Sequence, residues 1–173
     1  CETIEATNPC AEQPLPSYGC CCLGSINLTL YVKDAFTDKA AFDFTGFGKT
    51  IETSIRMLDN VLEATHWPLE QQHAEAQSKR RVGLGFTGLG NALAMLRLRY
   101  DSEAALEMAR KISEYMRDQA YLASVELAKE RGAFPLFNAD MYLSGGNFAS
   151  RLPNEVKDKI RKHGLRNSHL LSI

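Results

Sequence analysis

The chain has 173 residues, enough for one domain or for a piece of a larger one. Apolar residues make up 45% and charged residues 24%, the balance of an ordinary globular protein. With 20 basic and 21 acidic residues the formal charge is −1, which leaves no electrostatic case for nucleic acid or an anionic membrane as partner. No apolar run approaches the ~20 residues of a membrane span, and the opening CETIEATNPC is too polar for a secretory leader.

All five cysteines fall in the first 22 residues: Cys1, Cys10 and the run Cys20, Cys21, Cys22. An odd count with three adjacent makes a poor disulfide framework, because neighbours rarely bridge without strain. The usage points to a reducing, cytoplasmic setting, where clustered thiols bind metal or do chemistry. Residues 1–40 read as extended segments and loops, since Pro9, Pro14 and Pro16 forbid a helix. SINLTLYV (25–32) alternates like a strand.

From residue 43 the pattern turns helical. Ile51, Ile55, Leu58 and Leu62 recur at helical spacing, Asp43 or Thr45 is placed to cap the start, and Pro68 ends the run. A short polar helix is expected over 69–79, a strand over RVGLGF (81–86) and a helix over 88–97. The clearest element is 102–131, where Met108, Ile112, Met116, Ala120, Ala123 and Leu127 form one stripe between an Asp101 or Ser102 cap and Gly132. PNEVKDKIRKHG begins a last helix at Pro153. The tail LRNSHLLSI reads as a strand with no hairpin partner nearby, so its sheet is expected elsewhere and the chain reads as an excised segment. The fold class is mainly α with a few short strands, in three stretches: a cysteine loop and strand over 1–40, a helical region over 43–163 and a terminal strand over 165–173.

Several motifs carry competing readings. GLGFTG (Gly83, Gly85, Gly88) fits the dinucleotide pattern G-x-G-x-x-G, yet lacks a second strand about 20 residues on with its acidic end. A tight strand-to-helix join is the expected role of these glycines. SKRR (78–81) is placed as a helix C-terminus facing the dipole rather than as a phosphate contact. His66, His73, His163 and His169 lack the spacing of a metal pair, and C-x9-CCC is a weak zinc pattern.

Asn8, Cys10 and Glu12 are a different matter. Pro9 pushes Asn8 toward an extended backbone, in which alternate residues share a face. An amide, a thiol and a carboxylate are then expected in one row, each about 6–7 Å from the next at about 3.3 Å per residue. That span suits one small polar substrate lying across all three. An ordinary loop with a chance N-x-C-x-E is the alternative, and spacing alone does not separate the two.

NPCAEQPLPSYGCCCLGSINL closely resembles the active-site segment of the large, catalytic subunit of ribonucleotide reductases. The likeness continues in order through RRVGLGFTGLGNALAML, ELAKERGAFPLF and KHGLRNSHLLSI, across essentially the whole chain. The proline after Asn8 and the PLPSYG stretch are most similar to the adenosylcobalamin-dependent class II. The resemblance implies a place in a ten-stranded α/β barrel, with adenosylcobalamin as cofactor, a ribonucleotide as substrate and a thioredoxin-like or dithiol reductant as partner. It implies that Cys10 is the transient thiyl radical that removes the 3′ hydrogen of the ribose. Glu12 would be the base for the 3′-hydroxyl, and Asn8 would hold the ribose hydroxyls. Cys21 would be a redox thiol ending in a disulfide, chosen by the eleven-residue step from Cys10, with Cys20 the alternative. The partner of Cys21 is expected upstream and the phosphate loop downstream, so the isolated segment is expected to be inactive. Ala11 stands where glycine is common in the family. The rivals are the same reaction in the metal-cofactor class I, a zinc-binding helical module using Cys10 and Cys20–Cys22, and a nucleotide-cofactor binder using Gly83–Gly88.

Overall fold

The computed structural model describes residues 2–172, so Cys1 and the last residue of the tail, Ile173, lie outside the described residues. In chain order the elements begin with β1 (Ala6–Thr7), β2 (Pro14–Leu15) and β3 (Cys22–Asn27), followed by a 3-10 turn over Leu28–Tyr31. Next come β4 (Val32–Lys33), β5 (Ala41–Phe42), α1 (Phe44–Ala64), α2 (Glu70–Lys79) and β6 (Val82–Thr87). The chain continues through α3 (Leu89–Met95), α4 (Glu103–Arg131), α5 (Ala139–Tyr142) and α6 (Asn154–His163). The mainly helical expectation holds.

The helices start where local chemistry says they should. The Asp43 carboxylate accepts from Gly46 N at 3.0 Å, so Asp43 rather than Thr45 caps α1. The Ser102 hydroxyl does the same for α4, and Gly132, at φ 83°, closes it. Phe47, Ile51, Ile55, Leu58 and Leu62 are buried against Ile112, Met116, Ala120 and Leu127 of α4, at roughly 1.5–3 kcal/mol for each large side chain.

Two strand expectations need correction. SINLTLYV does not run as one strand: β3 starts earlier, at Cys22, and stops at Asn27. The Asn27 side chain accepts from Thr29 N at 3.1 Å and Thr29 Oγ1 at 2.8 Å, which turns the chain into a 3-10 helix where alternation alone predicted extension. The tail, in turn, finds its partner inside this chain. Val82 N donates to His169 O at 3.0 Å, Leu84 N to Leu170 O at 2.8 Å and Ser172 N to Leu84 O at 3.1 Å, with one parallel bridge between Leu84 and Leu171. Parallel pairing needs a long crossover rather than a hairpin, and α4 and α6 provide it.

β3 and β6 pair in parallel from Cys22–Val82 to Asn27–Thr87, so β6 lies between β3 and the tail. One face of this unit is covered by helices: Val82 and Leu84 are buried, and a β-carbon on Gly24 would touch Leu58 of α1. The opposite face carries Cys21, Leu23, Gly83 and Ser172. Among the described residues these parallel segments do not close into a barrel.

A buried polar knot locks the unit. Arg80 and Asp59 are 1% and 0% exposed and pair at 2.8 Å. Arg80 sits at φ 49°, the left-handed turn that ends α2, and this aims its guanidinium inward. Asp59 also accepts from Asn167 Nδ2 at 2.9 Å, Arg131 at 3.1 Å and Arg166 at 3.4 Å. Asn167 donates to Arg80 O at 3.1 Å and takes part in two hydrogen bonds with Ser124 Oγ. Burial raises the Asp59 carboxyl, but Arg80, Arg166 and Asn167 outweigh it and hold the group below the usual carboxylate range. Of the SKRR run, only Lys79 fulfils the expected dipole role in the last turn of α2.

Candidate active site

Asn8 to Gln13 do not form an extended row. They form the turn of a hairpin in which β1 pairs antiparallel with β2, Ala6 opposite Leu15. Ala11 N donates to Asn8 O at 2.9 Å, Asn8 N to Gln13 O at 3.3 Å, and Gln13 N to Asn8 Oδ1 at 2.9 Å. Prolines bar a helix but not a turn. Asn followed by Pro is the favoured start of a tight turn, since Pro presets φ at the second position. That signal was present in the sequence and outranks alternation.

The turn changes which groups meet. Asn8 Nδ2 donates to Glu12 Oε1 in a very short hydrogen bond, so amide and carboxylate touch instead of standing at opposite ends of a row of three. Cys10 is exposed at the tip. The other carboxylate oxygen, Glu12 Oε2, is shielded from solvent and has no partner among the described residues. Ala11 sits at φ 62°, a left-handed conformation that costs an L-residue about 1 kcal/mol and that glycine adopts freely. Its departure from the family glycine therefore bears on the backbone as well as on the space above the turn.

The hairpin faces the cysteine run. Cys20, Cys21 and Cys22 are all half-buried free thiols. Burial pushes Cys21 up to about 12; Arg81 opposes this, while Cys20, Cys22 and the Glu12 carboxylate add to it. Burial also raises Cys20 and Cys22. Cys22 points into the helix-covered core, whereas Cys21 lies on the open face. There a β-carbon on Gly83 would come within 3.0 Å of Cys21 Sγ and 2.8 Å of Ser172 Cβ, so only glycine leaves room for both. Arg81 is held by Glu2 at 2.5 Å.

The glycine motif is accounted for by packing. Gly83 provides this close approach, and Gly88, at φ 76°, opens α3. α3 leads directly into α4 with no second strand between them, which removes the dinucleotide reading. Among the described residues no three His, Cys, Asp or Glu side chains converge to hold a metal ion, so Cys10 and Cys20–Cys22 do not form a zinc site. No helix among them is long and apolar enough to cross a membrane. A cavity of about 920 Å³ between α4, α5 and the tail is lined by Tyr121, Phe134, Tyr142 and Phe148, and none of Asn8, Cys10, Glu12 or Cys21 lines it. Two residues missed by sequence reasoning matter here: Ser172, which no local pattern marks, and Arg80, in a run read only as a helix C-terminus facing the dipole.

Parallel strands with helices on one face and the Cys21 thiol on the other define a piece of an α/β domain. The chain belongs to the ribonucleotide reductase barrel domain family, whose model matches residues 1–173. It is 42% identical over 76% of its length to a vitamin B12-dependent ribonucleoside-diphosphate reductase of Thermoplasma acidophilum, and 38% identical over 83% to one of Mycobacterium tuberculosis. It is also 32% identical over 99% of its length to the ribonucleoside-diphosphate reductase large chain of Encephalitozoon cuniculi. The chain spans 17%, 20% and 23% of these relatives in turn, about a fifth of their length.

Proposed function

We propose that this chain supplies the radical-bearing active-site segment of a ribonucleotide reductase, acting on ribonucleoside diphosphates. The observation that carries the proposal is the turn itself: an exposed thiol at the tip, flanked by an amide-braced carboxylate with one oxygen unclaimed. Cys10, as a thiyl radical, takes the 3′ hydrogen of the ribose and becomes a thiol. Glu12 Oε2 accepts the 3′-hydroxyl proton as a general base, and the 2′-hydroxyl leaves as water. Asn8 orients both the carboxylate and the ribose hydroxyls. Cys21, kept protonated by burial, enters as S–H; with a partner thiol it gives up two electrons and two protons and ends in a disulfide. A thioredoxin-like protein or other dithiol then reduces that disulfide.

Two of the relatives are named as vitamin B12-dependent, which supports adenosylcobalamin as the cofactor. The exposed tip of the hairpin leaves the Cys10 sulfur open to so bulky a group. When bound, it supplies the radical equivalent that oxidises Cys10. Placement within a ten-stranded barrel is part of the same proposal.

The test uses the full-length reductase. Cys10→Ser is expected to abolish diphosphate reduction. Glu12→Gln is expected to lower kcat by about 10²–10⁴-fold with little change in KM. Wild-type turnover by Cys10→Ser would overturn the proposal. Turnover that ignores adenosylcobalamin and requires a second, radical-generating subunit would move the chain to the metal-cofactor class.

A further inference from the structure

The open face of the parallel unit holds one group that the reaction above leaves unused. Ser172 Oγ is shielded from solvent and has no hydrogen-bond partner among the described residues. Its β-carbon and the Cys21 sulfur press on the same bare spot above Gly83, at 2.8 and 3.0 Å from where a methyl would stand. A buried hydroxyl without a partner costs free energy comparable to a lost hydrogen bond. Such a cost is maintained where the group acquires a partner at another stage of the working cycle.

We propose that Ser172 is a positioning residue for the redox thiol, donating its O–H to Cys21 Sγ whenever that sulfur carries negative charge. This rests on the reading of Cys21 as the redox thiol. The charged moment comes during re-reduction. A thiolate of the external dithiol attacks the sulfur bonded to Cys21, the S–S bond breaks, and Cys21 leaves with the bonding electrons as a thiolate before taking up a proton. A leaving thiol departs faster as its pKa falls, and this one is disfavoured by its surroundings. Burial opposes the charge, as do the neighbouring thiols Cys20 and Cys22 and the Glu12 carboxylate. Arg81 favours it, and Glu2 shares that guanidinium. The Ser172 hydroxyl is a neutral donor carried on a β-carbon that borders the same bare glycine as the Cys21 sulfur. With the thiol it is at most a weak partner; with the thiolate its bond is charge-assisted and stronger.

The experiment measures alkylation of Cys21 by iodoacetamide at fixed alkaline pH, followed by mass spectrometry of the modified peptide. Ser172→Thr and Ser172→Val have the same shape and differ in the hydroxyl; Ser172→Ala is the smaller alternative should either bulkier variant fold poorly. Ser172→Val is expected to react about tenfold more slowly than wild type, the size of one hydrogen bond to a charged group, with Ser172→Thr close to wild type. Equal rates in all variants, or equal slowing in Thr and Val, would overturn the inference. A turnover-linked Cys21 disulfide is assayed separately in the full-length reductase. Equal alkylation rates with that disulfide intact remove only the role of Ser172, whereas slowing without any disulfide removes the redox reading and leaves the contact standing.

Discussion

Two regions of this chain bring charged side chains together in opposite ways. Around Asp59, three arginines and an asparagine converge on a carboxylate that is fully buried, and both of its oxygens are used. At the Asn8–Gln13 turn the Glu12 carboxylate is half-buried, braced on one oxygen and unclaimed on the other, beside an exposed thiol. The first arrangement is saturated and holds α1, α2, α4, β6 and the tail in register. The second is left unsaturated, which is what the proposed role of Glu12 as a base requires. A complete hydrogen-bond inventory fixes a frame; an incomplete one, held on that frame, leaves capacity for chemistry.

Removing the saturated charge should produce the largest effect. Asp59→Asn leaves Arg80 buried without its main counter-charge and is expected to cost about 3–5 kcal/mol in denaturant unfolding. The pH dependence sharpens this. The folded-state pKa of Asp59 is depressed, so its contribution is present above the unfolded carboxyl value and is lost as pH falls through the folded one. Wild type should therefore lose stability on acidification more steeply than Asp59→Asn. Parallel curves would mean that the carboxylate is not held by the arginines.

On the open side, thiol reactivity should differ sharply between the two sites. Cys10 is exposed, while burial pushes Cys21 up to about 12. Iodoacetamide at neutral pH should modify Cys21 at least about a hundredfold more slowly than Cys10, because the thiolate is the reactive form. Comparable rates would show that the face is wetter than its packing implies. Gly83→Ala places a methyl against Leu23, Ser172 and Cys21. An overpacking cost of about 1–3 kcal/mol is expected by chemical denaturation, and a neutral outcome would mean that the strands spread easily. The smallest effect belongs to the turn: Ala11→Gly should relieve about 1 kcal/mol of left-handed strain, read as slower hydrogen exchange at the hairpin amides.

Helices and their caps were legible because their causes are local. Asp43, Ser102 and Gly132 act within a turn of where they stand, and the Met108–Leu127 stripe follows from helical period alone. β6 was legible too, and so was the join that Gly88 provides. The hairpin was misread as an extended row although Asn8-Pro9 marks a turn; turn chemistry prevailed over period-two projection. Arg80 does end α2, as the SKRR reading placed it, but its pairing with Asp59 was not legible because the acid lies 21 residues away in sequence.

The sequence by itself determined the helices and the family to which the chain belongs, since period, capping and an ordered N-P-C-A-E motif are properties of short stretches. Only the tertiary structure decided that Glu12 meets Asn8, that Arg80 turns inward to Asp59, and that Cys21 shares one bare glycine with Ser172. Those contacts join residues that parallel crossovers and a turn bring together, and loop closure between distant segments leaves no trace in local spacing.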